Sequence, residues 1–260
     1  MAQIPKRVTE RLIKEARKFK RILQTAKDRD INESDTVVII TDMLSSLFGY
    51  DKYSEITSEF AVRGTYCDLA IQLDDSVKYL IEVKAIGLEL KEAHLRQAIG
   101  YGSQHGVQWV VLTNGTNWVI HRIKFEMPVS SELLCSFNIL ELNPRKKDDQ
   151  DILFLLCKEG ISKDVIEDFH KHIKSVNKYI IGAIIQSESG LNNIRREIRK
   201  ISPGTKVETK EIEEILVNEV LKREVVSGDL PDGAKNKLKK AILKHKAKLD
   251  KNKSEINRSL

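Results

Sequence analysis

A chain of 260 residues, 41% hydrophobic and 32% charged, has the make-up of a water-soluble globular protein that buries one large core, or a core with an appendage. No apolar run approaches the roughly 20 residues needed to cross a bilayer, and the three scattered cysteines, Cys67, Cys135 and Cys157, form no CxxC pair that would suggest zinc or a disulfide framework. The net charge of +6 is uneven: residues 1–30 and 234–260 are basic and the middle is acidic, which suits phosphate binding around an acidic site, although solvated lysine-rich helices explain the same pattern.

Residues 5–30 read as one amphipathic helix, with Val8, Leu12, Ala16, Phe19, Leu23 and Ala26 at helical spacing. The residues before it lack the apolar core of a signal peptide, so a cytoplasmic location is expected. A second helix is predicted from Asn32, where Glu33, Ser34 and Asp35 supply a cap and dipole-matching acids. It runs to Leu47-Phe48 and stops at Gly49, with Val37-Val38-Ile39-Ile40 the stretch least suited to it. From Ile56 the period changes to two. Ser58 to Arg63 reads as a strand, Gly64-Thr65 as a bend, and Tyr66 to Leu73 as the next strand. Asp74-Asp75-Ser76 then makes a turn into the apolar strand Lys78 to Ala85.

A helix over 89–105 comes next, followed by Trp109 to Thr113 and Trp118 to Ile123 around the hairpin signal Asn114-Gly115-Thr116-Asn117. Hairpin, helix, hairpin predicts an α/β fold with a mixed central sheet flanked by helices. Past Asn143-Pro144 the pattern is helical: Asp148 to Glu159, Lys163 to Ser187, Leu191 to Lys200, Lys210 to Val226, and Ala234 to Lys251. Gly160, Gly190, Pro203-Gly204 and Gly228 to Gly233 separate these segments. The expected organisation is a leading helix over 1–30, an α/β domain over 31–145, and a helical segment with a basic tail over 146–260.

Hydrolysis of a phosphodiester needs charge stabilisation on the phosphoryl oxygens and an activated water, which magnesium supplies when one or two carboxylates hold it and leave positions open. In Tyr79-Leu80-Ile81-Glu82-Val83-Lys84-Ala85, Glu82 and Lys84 share one face of an otherwise apolar strand, where burial without a partner is unfavourable. The turn at Asp74-Asp75 brings Asp68 of the preceding strand towards Glu82. Two further E-x-K strings, Glu89-Leu90-Lys91 and Glu208-Thr209-Lys210, lie in helix or helix entry without an acid-bearing strand before them, and read as decoys. Glu33 offers a third carboxylate. Gln97 and Tyr101, one helical turn apart, both have room to face the site.

At these residues the sequence resembles the PD-(D/E)xK nuclease domain at the N-terminus of type I restriction-enzyme R subunits, and more closely short stand-alone versions of it. The resemblance runs through Asn32-Glu33-Ser34-Asp35-Thr36, Leu47-Phe48-Gly49-Tyr50, Asp68-Leu69-Ala70 and Ile81-Glu82-Val83-Lys84-Ala85. It continues through Gln97-Ala98-Ile99-Gly100-Tyr101 and Trp109-Val110-Val111-Leu112-Thr113-Asn114-Gly115, and covers roughly residues 30–125. It implies a restriction-endonuclease-like core with Asp68 and Glu82 binding magnesium, manganese serving as a substitute. Lys84 then positions the water, Glu33 assists the metal, and Gln97 and Tyr101 support the nucleic acid or the lysine. The implied activity is endonucleolytic cleavage of DNA in restriction or host defence. Its partners are DNA, a second copy or other restriction-system subunits, and no membrane. Two departures stand out: Tyr50 sits where the family often has tryptophan, and no G-x-x-x-x-G-K-[ST] loop is present, so ATP-driven translocation is not expected.

Each assignment has a plainer competitor. Asp68, Glu82 and Lys84 could form a structural ion pair, Glu33 a dipole-stabilised helix start, and Gln97 and Tyr101 an ordinary amphipathic face. Arg63 is a candidate phosphate contact or a solvated strand end. Lys235, Lys239 and Lys240 belong to a stretch, Lys235 to Lys253, with nine lysines and one acid, which reads as a nucleic-acid-binding arm or a soluble tail. His94, His105 and His121 lack metal-ligand spacing, and Trp109 and Trp118 read as cross-strand core. The alternative function is a non-catalytic nucleic-acid-binding or assembly module on the same fold, or cleavage of RNA in place of DNA.

Overall fold

The computed structural model describes residues 3–62 and 65–256. The chain divides into two compact units, Met1–His170 and Lys171–Leu260. The boundary expected near 145 falls inside the first unit, because Leu153, Phe154, Leu155, Leu156 and Cys157 are buried in its core. Among the described residues no helix is long and apolar enough to cross a membrane.

The first unit opens with α1 (Lys6–Asp28) and α2 (Glu33–Ser46). The α1 stripe of Val8, Leu12, Ala16, Phe19, Leu23 and Ala26 is buried throughout, as a period of three to four residues requires. In α2 the Asn32 side chain accepts the Asp35 N–H and caps the helix. The β-branched run stays helical because α2 is tied into the core by Ile40, Met43 and Leu44. Gly49, at φ +89, turns the chain out of the helix, and a side chain there would collide with the Arg11 guanidinium lying over it.

Six strands follow in one sheet, arranged in sequence order. They are β1 (Ile56–Val62), β2 (Thr65–Leu73), β3 (Ser76–Val83), β4 (Trp109–Thr113), β5 (Asn117–Lys124) and β6 (Ser130–Asn138). All neighbours are antiparallel except β3 and β4, which run parallel and are joined by the crossover helix α3 (Glu92–His105). Asp74 and Asp75, both at positive φ, make the two-residue turn that fixes the β2–β3 register.

One sheet face carries Leu69, Ile71, Tyr79, Ile81, Val83, Val111, Trp118 and Ile120 into the core shared with α1 and α2. On the other, Ala70, Leu80, Val110 and Ile123 meet Ala98 and Tyr101 of α3. Gly102 permits that approach, since an added Cβ would lie 2.3 Å from Ile123 Cδ1. The sheet, helix-flanked and mixed, is the architecture expected; β6 was not foreseen. Helices α4 (Lys147–Phe154), α5 (Lys158–Ile161) and α6 (Val165–Ser175) complete this part of the chain.

Beyond residue 170 the chain is helical: α7 (Lys178–Ile185), α8 (Glu188–Ile201), α9 (Thr209–Ile215), a π-helical turn (Leu216–Val220), α10 (Arg223–Val226) and α11 (Asp229–Ile256). The single helix expected over Lys163 to Ser187 is broken because Asn177 caps α7, accepting the N–H groups of Tyr179 and Ile180. Gly190 lies within α8 and Gly233 within α11, so neither separates helices. Pro231 falls in the first turn of α11, where its missing N–H is harmless, and Asp229 and Asp232 suit the positive end of the helix.

Candidate active site

The site grows from β3. This strand is paired on both edges and covered on both faces, so Tyr79, Leu80, Ile81, Glu82 and Val83 are buried in succession. Glu82 is therefore a carboxylate only 1% exposed. The pairings Leu69↔Ile81 and Ala70↔Leu80 extend one step to set Asp68 across from Glu82. Asp68 Oδ2 accepts the Val83 N–H at 2.7 Å.

Lys84 leaves the strand with its N–H still donated to the Thr113 carbonyl. Its Nζ stands 2.8 Å from Glu82 Oε1 and 3.6 Å from Glu33 Oε2, Glu33 reaching in from the first turn of α2. Asp68 also lines a cavity of about 300 Å³ with Glu33, Ser34, Val37, Ser58 and Glu59.

Burial pushes the Glu82 carboxyl up to about 7; the Lys84 hydrogen bond pulls the other way, and the Asp68 charge adds to the rise. Asp68 is also raised by burial, with the charges of Glu33 and Glu59 adding to it, against the Val83 N–H and Lys84. Burial works against the Lys84 charge, but the bond to Glu82 and the surrounding acids outweigh it and hold the ammonium above its ordinary range. Glu82 Oε2 is fully enclosed and has no hydrogen-bond partner.

That orphaned oxygen beside a second carboxylate is a donor set a hard divalent cation fits, since buried carboxylate oxygens are otherwise satisfied by protein donors. Among the described residues no three His, Cys, Asp or Glu are grouped as a closed metal cage. Glu33 faces Lys84, so Asp68 and Glu82 are the pair left to hold an ion. Two protein ligands leave the remaining positions to water or substrate.

The other sequence-derived residues are placed as follows. Gln97 Nε2 donates to Tyr101 Oη at 2.9 Å, and Tyr101 packs in the cluster under α3. Among the described residues neither bonds to Asp68, Glu82 or Lys84. Arg63 lies outside the described residues. Lys239 and Lys240 are exposed on α11, and Lys235 donates to the Val226 carbonyl. Tyr50, where tryptophan was the usual choice, is buried with its hydroxyl on the Leu156 carbonyl. Trp118 is core, set against Phe48 and Phe137, and Trp109 meets His170 edge-on. Both E-x-K decoys fall outside strands.

Glu59 was missed. Its position was legible in the hairpin register, because Ser58↔Leu69 and Phe60↔Cys67 bracket a Glu59–Asp68 step.

No curated protein and no solved structure matches the chain. Residues 39–132 match the family described as the type I restriction enzyme R protein N terminus. That segment contains β1 to β5 and the Asp68, Glu82 and Lys84 cluster, and in it the chain resembles the N-terminal domain of type I restriction enzyme R proteins.

Proposed function

We propose that this protein is a magnesium-dependent endonuclease that hydrolyses phosphodiester bonds of DNA in a restriction or host-defence system in the cytoplasm. The carrying observation is the Asp68–Glu82–Lys84 cluster, in which one buried glutamate oxygen is left unpartnered. A purely structural ion pair would leave no such oxygen, because a second donor could fill the place at less desolvation cost.

Asp68 and Glu82 would hold the cation. When bound, magnesium supplies charge stabilisation to the phosphoryl oxygens and lowers the pKa of bound water. The protein's own contributions are three. The Val83 N–H fixes the Asp68 carboxylate through a 2.7 Å bond. Lys84 fixes Glu82 through its ammonium, which remains protonated and able to orient the attacking water or meet charge growing on the phosphate. Burial on β3 keeps Glu82 from swinging away, so the acids are preorganised. Exposed Lys239 and Lys240, with Lys235, contribute phosphate contacts, and a second copy or other restriction-system subunits are the expected protein partners.

The test is cleavage of plasmid DNA in magnesium or manganese by wild type, Glu82→Ala and Lys84→Ala. Wild type cuts and EDTA stops it, while both variants are inactive though folded. Cleavage that survives EDTA and both substitutions refutes the site. A wild type that binds DNA with no metal-dependent cutting leaves the binding-module alternative, and matched RNA substrates separate the two polymers.

A further inference from the structure

Strand β1 is regular on either side of Glu59, with Ser58 opposite Leu69 and Phe60 opposite Cys67. Glu59 itself sits at φ +50. The other non-glycine residues at positive φ among those described are Asp30, Asp74, Asp75 and Asp164, all short acids outside strands. Aspartate tolerates this conformation; a glutamate within a strand has no local reason to adopt it.

The consequence is visible in the cavity wall. Successive residues of a regular strand face opposite sides of the sheet, yet Ser58 and Glu59 both line the cavity that holds Asp68 and Glu33. Three carboxylates thus border one space of about 300 Å³. Deeper in the same site, Glu82 keeps a buried, unpartnered oxygen, an independent sign that a cationic group belongs there. Lys84 already serves Glu82 and Glu33.

We infer that Glu59 is a positioning residue for a hydrated divalent cation at this site, accepting hydrogen bonds from water molecules that the cation retains. The inference rests on the proposed metal site and adds to it a residue from a third element. An indirect role suits the geometry, since among the described residues no three such groups form a direct cage. It also suits magnesium, which gives up its water reluctantly. The backbone distortion at Glu59 is then the means by which β1 aims a carboxylate into the cavity.

Manganese binding to the full chain, followed by calorimetry and by electron paramagnetic resonance, tests this without relying on activity. Wild type, Glu59→Asp, Glu59→Asn and Glu82→Ala are compared. Glu59→Asn keeps a residue that accepts positive φ but removes the charge; it is expected to weaken manganese binding about tenfold, the usual effect of losing an outer-shell partner. Glu59→Asp stays within about threefold of wild type by the same scale. The metal-free melting temperature of either variant equals or exceeds that of wild type, because the strain is relieved.

If Glu59→Asn binds manganese as wild type does while Glu82→Ala does not, the role of Glu59 is refuted and the metal site stands. If the Asp and Asn variants weaken binding equally and both melt lower, Glu59 is structural and the inference falls. If wild type takes up no manganese, or Glu82→Ala binds equally well, the metal-site reading fails and this inference with it.

Discussion

Replacing Glu82 by glutamine should stabilise the protein at alkaline pH in the absence of metal. In the folded chain the Glu82 carboxyl titrates near 7, against 4.5 for an ordinary glutamate. Because the folded value is the higher one, the native state holds the extra proton between these limits, and stability falls as pH rises through that window before levelling off above it. The gap corresponds to about 3 kcal/mol at roughly 1.4 kcal/mol per unit, an order-of-magnitude figure for so buried a group.

Glutamine imitates the neutral acid. Glu82→Gln should therefore match wild type near pH 5 and exceed it by up to about 3 kcal/mol near pH 8, the difference developing across the same window. Urea unfolding in EDTA measures this. Both tryptophans, Trp109 and Trp118, lie in the first compact unit, so their fluorescence reports the unit that contains the site. Adding magnesium should reverse the order, since only wild type gains binding free energy, about 2.7 kcal/mol at a hundredfold excess over Kd. Parallel pH curves for the two proteins would refute the assignment of a strained, buried acid.

Three further outcomes are expected. Lys84→Ala should abolish cleavage and carry the pH-dependent loss of stability to higher pH than in wild type, because the hydrogen bond that lowers the Glu82 pKa is gone; the same urea series reads this. Arg11→Ala should cost about 2–3 kcal/mol in unfolding free energy, because Arg11 grips Glu159 with both Nη atoms and also donates to the Leu47 and Phe48 carbonyls at the end of α2. The double change Lys239→Glu and Lys240→Glu should weaken DNA binding irrespective of sequence. It should also flatten the plot of log affinity against log salt by about 0.9 for each phosphate that α11 no longer neutralises, and an unchanged slope would remove α11 from the interface.

How much was legible in the sequence follows from which interactions are local. The α1 stripe, the Asp74-Asp75 turn and the placement of Glu82 and Lys84 all depend on residues a few positions apart, and each was readable. Strand β6 was not. Its register against β5 shifts between Ile120 and His121, so Ile120 faces Cys135 while His121 faces Leu133. The bulge puts the buried residues Leu134 and Phe137 three apart, and no period of two survives for a sequence reading to detect. The break before α7 is a single side-chain cap competing with an otherwise continuous apolar pattern. The packing of residues 146–170 into the first unit depends on how Leu153 to Cys157 meet distant parts of the chain.

The same distinction bears on Glu82. An acid in an apolar strand breaks the local rule, and such breaks concentrate where function outweighs stability. By itself that argues only for some partner, and Lys84 is one. What separates a structural pair from a working site is the stoichiometry of satisfaction. Lys84 meets one carboxylate oxygen and leaves the other enclosed without a donor, while Asp68 stands opposite and raises the carboxyl further. Packing that served stability alone would have set a donor against Oε2 or replaced the acid with an apolar residue. Two carboxylates held face to face by the sheet register, one with an unsatisfied oxygen, make an arrangement that a divalent cation would complete.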